Sequence, residues 1–133
     1  MSRNEPARRR LQEAGTEDAE LIYGMATTAA QAASDMLAKD VTIIDMREAV
    51  SYTDYFVVAS AETERQTRRV ADEVVDKMGE QGHKPRSRRA NEGAAWISLD
   101  FIDIVVHILT DEARDYYRLE SLWRSAPQER WEQ

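Results

Sequence analysis

Trp96-Ile97-Ser98-Leu99-Asp100-Phe101-Ile102-Asp103-Ile104-Val105-Val106-His107-Ile108-Leu109 is the stretch whose reading decides the fold. It is too long for one ordinary strand, so it reads as two strands folded back on each other. A two-residue turn at Phe101-Ile102 pairs Asp100 with Asp103, Leu99 with Ile104, Ser98 with Val105, Ile97 with Val106 and Trp96 with His107. Opposed residues of an antiparallel pair point the same way. One face is then aliphatic (Ile97, Leu99, Ile104, Val106, Ile108) and reads as core. The other carries Trp96, Ser98, Asp100, Asp103, Val105 and His107 and reads as a surface for a partner. Tight hairpin turns favour glycine and asparagine because they need positive φ. Phe101-Ile102 is bulky, so a longer or bulged turn with shifted pairing stays open. Its apolar tip needs cover, from a terminal helix or from a partner.

Outward from the hairpin, the apolar run Val41–Met46 and the run Tyr55–Ala59 read as strands covered on both faces. Residues 18–38 place Ile22, Met25, Ala29, Ala33, Met36 and Leu37 at helical spacing. Ser60 is read as opening a second helix, with Glu62 and Glu64 in its first turn and Val70, Val74 and Met78 buried. Residues 83–93 form a basic connection able to hold a short strand. Thr110 caps a terminal helix in which Tyr116, Leu119 and Trp123 share a face, ended by Pro127. The expected organisation is a polar disordered tail (1–17), one α/β domain with a mixed sheet flanked by helices (18–126) and a loose C-terminal tail (127–133).

The 133 residues fit one domain with a single core. No run approaches the roughly 20 apolar residues of a membrane span, and the N-terminus lacks a signal peptide's apolar region, so a cytoplasmic location is expected. The absence of cysteine excludes disulfides, thiolate metal sites and cysteine nucleophiles. A net charge of −7 argues against a bulk nucleic-acid binder and fits a basic partner.

Catalytic signatures are missing: there is no Gly-rich phosphate loop, no Gly-x-Ser-x-Gly and no His-Glu-x-x-His. No cofactor is expected. His83 reads as a solvated loop residue; His107 reads as a packed strand residue, with a contact role open. Asp45, Asp54, Asp100 and Asp103 are the best raw material for a magnesium site, since two or three of them converging at strand ends would make the chain a metal-dependent nucleotidyltransferase. Against that, aspartates at strand ends and turns commonly satisfy backbone, and the strand–helix turn Ala59-Ser60-Ala61 lacks the glycine such an enzyme wants. The Arg8–Arg10 and Lys84–Arg89 clusters read as solvated charge, so no sequence-specific nucleic-acid binding is expected. A general homodimeric adaptor is a third reading.

Several groups of residues in order carry a resemblance: Asp45 after an apolar strand, Thr53-Asp54-Tyr55-Phe56-Val57-Val58-Ala59-Ser60, Arg65-Gln66, Trp96–Asp100, Asp103–His107, and Arg114, Tyr117, Leu119-Glu120 and Leu122-Trp123. In that order and spacing the chain resembles the ribosomal silencing factor (Iojap) family from about Met25 to Pro127. The resemblance implies a nucleotidyltransferase-like α/β fold without the catalytic motif. It implies a non-enzymatic translation repressor that binds the large ribosomal subunit at ribosomal protein fourteen, blocks joining of the small subunit under nutrient limitation, and forms homodimers. The chain departs from the family pattern in two places: Arg89-Ala90 stands where the family has Glu-Gly, and Ile102 stands where the hairpin tip often has glycine. The partner-binding residues expected are Trp96, Asp100, Phe101, Ile102, Asp103, His107, Tyr117 and Glu120.

Overall fold

The computed structural model describes residues 5–91 and 93–132, with side chains from residue 17 onward. Residues 1–4 of the expected tail, the side chains of Arg8–Arg10, Glu92 and Gln133 lie outside the described residues. A mixed sheet of six strands, ordered β3-β4-β5-β2-β1-β6, is flanked by helices. The strands are β1 (Lys39–Asp45), β2 (Tyr55–Ala61), β3 (Ser87–Asn91), β4 (Trp96–Asp100), β5 (Ile104–Thr110) and β6 (Gln128–Arg130). The helices are α1 (Glu5–Asp35), α2 (Glu64–Glu80), α3 (Asp111–Tyr117) and α4 (Leu119–Leu122). Only β2 and β5 pair in parallel, and the chain between them supplies α2 and the β3–β4 edge.

Parity along the strands divides the core in two. Val41, Ile43, Val57, Ala59, Ile97, Leu99, Val106 and Ile108 face α1 and α2. The alanines of α1 (Ala26, Ala29, Ala30, Ala33) are fully buried there, which lets the helix lie close on the sheet beside Val70, Val74 and Met78 of α2. Ile44, Met46, Phe56, Val58 and Leu109 face the other way, covered in part by Ala113 of α3 and Leu119 of α4. Every residue of β2 is buried, as its unbroken apolar run requires.

The hairpin keeps its expected faces but not its expected register. Asp100 pairs with Val105, Leu99 with Val106, Ser98 with His107, Ile97 with Ile108 and Trp96 with Leu109. Each partner has moved by two residues, a full pleat period, so the sorting of side chains survives. The shift makes room for a wider tip, in which Phe101 N–H donates to Ile104 O (2.9 Å) and Asp103 N–H donates to Phe101 O (2.9 Å).

Four other expectations are corrected. Helical backbone already begins at Glu5, inside the stretch expected to be disordered, because residues such as Glu13, Ala14 and Glu17 are strong helix formers feeding a helix anchored on the sheet. Ser60 does not open α2; β2 runs on to Ala61 and Thr63 is the N-cap, its side chain accepting from Gln66 N–H. The terminal helix breaks at Arg118 (φ 49), leaving Tyr116 79% exposed instead of on a face shared with Leu119. The C-terminal segment is not loose: β6 pairs with β1, Trp131 N–H donates to Val41 O (2.8 Å), and the Trp131 indole N–H reaches Gln31 (3.2 Å). Tyr23 hydroxyl donates to Glu129 and pins the strand to α1; that bond raises the Tyr23 pKa to about 12. A chain stopped after Pro127 is expected to lose about 1–2 kcal/mol of stability, read as a lower urea midpoint. An unchanged midpoint would mean that β6 contributes nothing.

Candidate docking face

The face of β4, β5 and β2 turned away from α1 and α2 carries a continuous string of rings. Tyr116 and Tyr117 meet edge to face with centroids 5.0 Å apart, and Tyr117 lies on Trp96 at 4.6 Å. Trp96 meets His107 at 5.7 Å, and His107 meets Phe56 at 4.6 Å. From Phe56 the string forks to Trp123 (6.3 Å) and Tyr52 (6.4 Å). These are the tilted and T-shaped geometries that ring quadrupoles favour. The middle of the string, His107 and Phe56, is buried, while its ends, Tyr116, Tyr117 and Tyr52, surface.

His107 fixes the centre. The Trp96 Nε1–H donates to His107 Nδ1 at 3.1 Å, so the neutral ring carries its proton on Nε2, which is buried without a hydrogen-bond partner. Burial pushes the His107 pKa down to about 4, so the ring stays neutral near pH 7 and its acceptor role is secure. His107 therefore positions Trp96 from beneath; in this conformation it does not reach a partner itself.

Acids flank the string at both ends. A cavity of about 620 Å³ beside Trp96, Tyr116 and Tyr117 is bounded by Glu62, Glu64 and Glu112. At the other end, the hairpin tip presents Asp103, exposed, and Asp100, partly covered. Burial works to raise the Asp100 pKa, but Arg86 at 2.6 Å and the Ile102 N–H at 2.8 Å outweigh it and hold the carboxyl below the usual range. Ile102 sits between them at φ 74, a conformation a β-branched residue rarely adopts, with its side chain 53% exposed. The Asp100 carboxylate and the bond from Asp103 N–H to Phe101 O brace that strain, and Asp103 O in turn accepts from Asp54 N–H at 2.9 Å.

Of the residues expected to touch a partner, the structure gathers Trp96, Asp100, Ile102, Asp103 and Tyr117 along this face, with His107 beneath. Two do not belong. Phe101 continues the alternation of Ile97 and Leu99, so its side chain turns into the opposite core and is 5% exposed. Glu120 is clasped by Arg114 (3.1 Å) beside Thr42 and Arg130, at the β1–β6 edge. Sequence reasoning missed Tyr52, Phe56, Tyr116, Glu62, Glu64 and Glu112 as contributors. The Thr63-x-x-Gln66 cap was the available signal for the place of Glu62 and Glu64.

The four aspartates weighed as a magnesium site have other partners in two cases. Asp45 is held by both its own loop and the Arg47 guanidinium (2.6 Å), which lowers its pKa, and Asp100 is held by Arg86. Among the described residues no group of three His, Asp or Glu is placed to hold a metal ion. Among them, too, no helix is long and apolar enough to cross a membrane.

Comparison with known proteins gives the family and the fold. A family model described as "Ribosomal silencing factor during starvation" matches residues 18–133. The ribosomal silencing factor RsfS of Bacillus subtilis is 33% identical over 99 residues, covering 74% of this chain and 84% of that protein. The chloroplastic Iojap protein of Zea mays is 33% identical over 113 residues, 83% of this chain and 47% of that one. A crystal structure of a Chromobacterium violaceum protein superposes with a TM-score of 0.74 at 30% identity, covering 77% of this chain and 86% of that chain. The chain belongs to the ribosomal silencing factor family.

Proposed function

We propose that this protein binds the large ribosomal subunit at ribosomal protein fourteen through the aromatic face and, seated there, sterically blocks joining of the small subunit, lowering translation under nutrient limitation. One observation carries the reading: a string of rings rises to the surface at both ends of one sheet face, with Glu62, Glu64 and Glu112 rimming one end and Asp103 exposed at the hairpin tip. A basic ribosomal protein supplies the complementary charge. Exposed ion pairs are worth only about 0–1 kcal/mol each, so the acids steer and orient while the rings anchor. No reaction is assigned: the protein acts by occupancy, in the cytoplasm. A homodimer built on the same face would compete with the ribosome for it. The nucleotidyltransferase alternative is the weaker reading, since Asp45 and Asp100, two of its four aspartates, pair with Arg47 and Arg86.

Light scattering of mixed large and small subunits tests the reading. Stoichiometric protein added to free large subunits is expected to cut the joined fraction, and protein added after joining to have little effect. Undiminished joining with the large subunits saturated would refute the steric mechanism. The tip adds a prediction with two opposite signs. Ile102→Gly relieves a left-handed conformation that costs an ordinary residue about 1–2 kcal/mol, so the urea midpoint should rise. The same change removes the exposed side chain and should weaken binding to large subunits. Binding that matches wild type would take Ile102 out of the contact.

A further inference from the structure

We propose that Glu64 and Thr67, in the first turn of α2, are positioning residues for Trp96, gripping the turn before β4 by both backbone polar atoms of Ala94, with Gly93 leaving open the space that the Glu64 carboxylate fills. This rests on the docking reading above for its consequence, but not for its geometry.

Ala94 is fully buried two residues before Trp96, and its N–H donates to Glu64 Oε1 at 3.2 Å. Its carbonyl lies 2.6 Å from the hydroxyl of Thr67, itself fully buried. Gly93 has φ +79, and a Cβ there would stand 2.5 Å from Glu64 Oε1. Any other residue at 93 would be strained and would also evict the carboxylate. Ala95 O then accepts from the N–H of Thr110, the residue that caps α3. One short turn thereby fixes β4 against both α2 and the start of the helix that carries Tyr117, and Trp96 and Tyr117 stack at 4.6 Å.

Glu64 has no stronger claim on it. Thr63 already caps α2, and Gln66 satisfies the N–H of Glu62. The pair with Arg68, at 3.9 Å on the surface, is of the kind that contributes little. Holding the anchor in place before the partner arrives removes an ordering cost from binding.

The test begins on the free, full-length protein labelled with 5-fluorotryptophan. Its three tryptophans give three fluorine resonances, and that of Trp96 is assigned by its loss in Trp96→Phe. Glu64→Ala and Gly93→Ala are expected to shift and broaden the Trp96 resonance while those of Trp123 and Trp131 stay put. Glu64 is about half exposed, so the first of these variants leaves the core intact. In sedimentation with large subunits both should bind about threefold to tenfold more weakly, the cost of ordering one or two side chains. Glu64→Gln keeps the acceptor oxygen and should restore the Trp96 resonance and most of the affinity, the rest being the rim charge it removes. An unmoved Trp96 resonance in Glu64→Ala and Gly93→Ala would overturn the proposal. So would Glu64→Gln binding as poorly as Glu64→Ala, which would make the carboxylate a direct charge contact. If the wild-type chain fails to bind large subunits, the docking reading falls while the resonances still judge the grip.

Discussion

Trp96→Ala is expected to weaken association with free large subunits by at least about thirtyfold, the effect of losing a desolvated aromatic anchor worth 2 kcal/mol or more. The indole touches both the surfacing Tyr117 and the buried His107. Its removal therefore takes away contact area and unseats its neighbour. The variant should also be less stable by about 1–3 kcal/mol, because His107 Nδ1 exchanges the indole donor at 3.1 Å for the Ser98 hydroxyl at 3.4 Å while its Nε2 already lacks a partner. Trp96→Phe separates the two effects. It keeps a ring on Tyr117 and loses only the hydrogen bond, so it should share most of the stability cost and a smaller part of the binding loss. A folded Trp96→Ala chain that binds like wild type would remove the anchor from the account.

The second large effect is a pH dependence of stability set by His107. In the unfolded chain its pKa is the ordinary 6.5; in the folded chain burial lowers it to about 4. Between those values the unfolded state binds the extra proton, so stability is fully present above pH 6.5 and is lost as the pH falls through 4. The interval corresponds to about 3 kcal/mol, at 1.36 kcal/mol per pKa unit. His107→Gln retains an acceptor for the Trp96 N–H and does not ionise. Urea unfolding of both chains from pH 7 to pH 4.5 should give a difference that narrows steadily with acidification, since carboxylate titration is common to the two. Parallel curves would mean that His107 is protonated or solvated in the folded protein.

Much of this was legible in the sequence because strand periodicity tolerates error in steps of two. The hairpin register slipped by two residues, and Trp96, Ser98, Asp100 and His107 still fell on one face. Phe101 was misplaced for the same reason in reverse: treated as a turn residue, it was exempted from an alternation that it obeys. Phe56 was readable as a buried strand residue, but its contact with His107 depends on the parallel β2–β5 pairing, which no local pattern announces. Glu62, Glu64 and Glu112 reach the docking face from the starts of α2 and α3 or from just before them, and only the tertiary packing brings those two helix starts beside Trp96. The break at Arg118 was invisible because an arginine in the left-handed region carries no glycine or asparagine signature. Strand β6 was missed because three exposed residues have no apolar alternation to read.

Sedimentation of the purified chain with isolated large subunits, isolated small subunits and joined ribosomes tests docking on the large subunit without intermediaries. Comigration is expected with free large subunits alone, and is expected to be lost in Trp96→Ala. Equal comigration with small subunits, or none with large subunits at low and moderate salt, would contradict that docking.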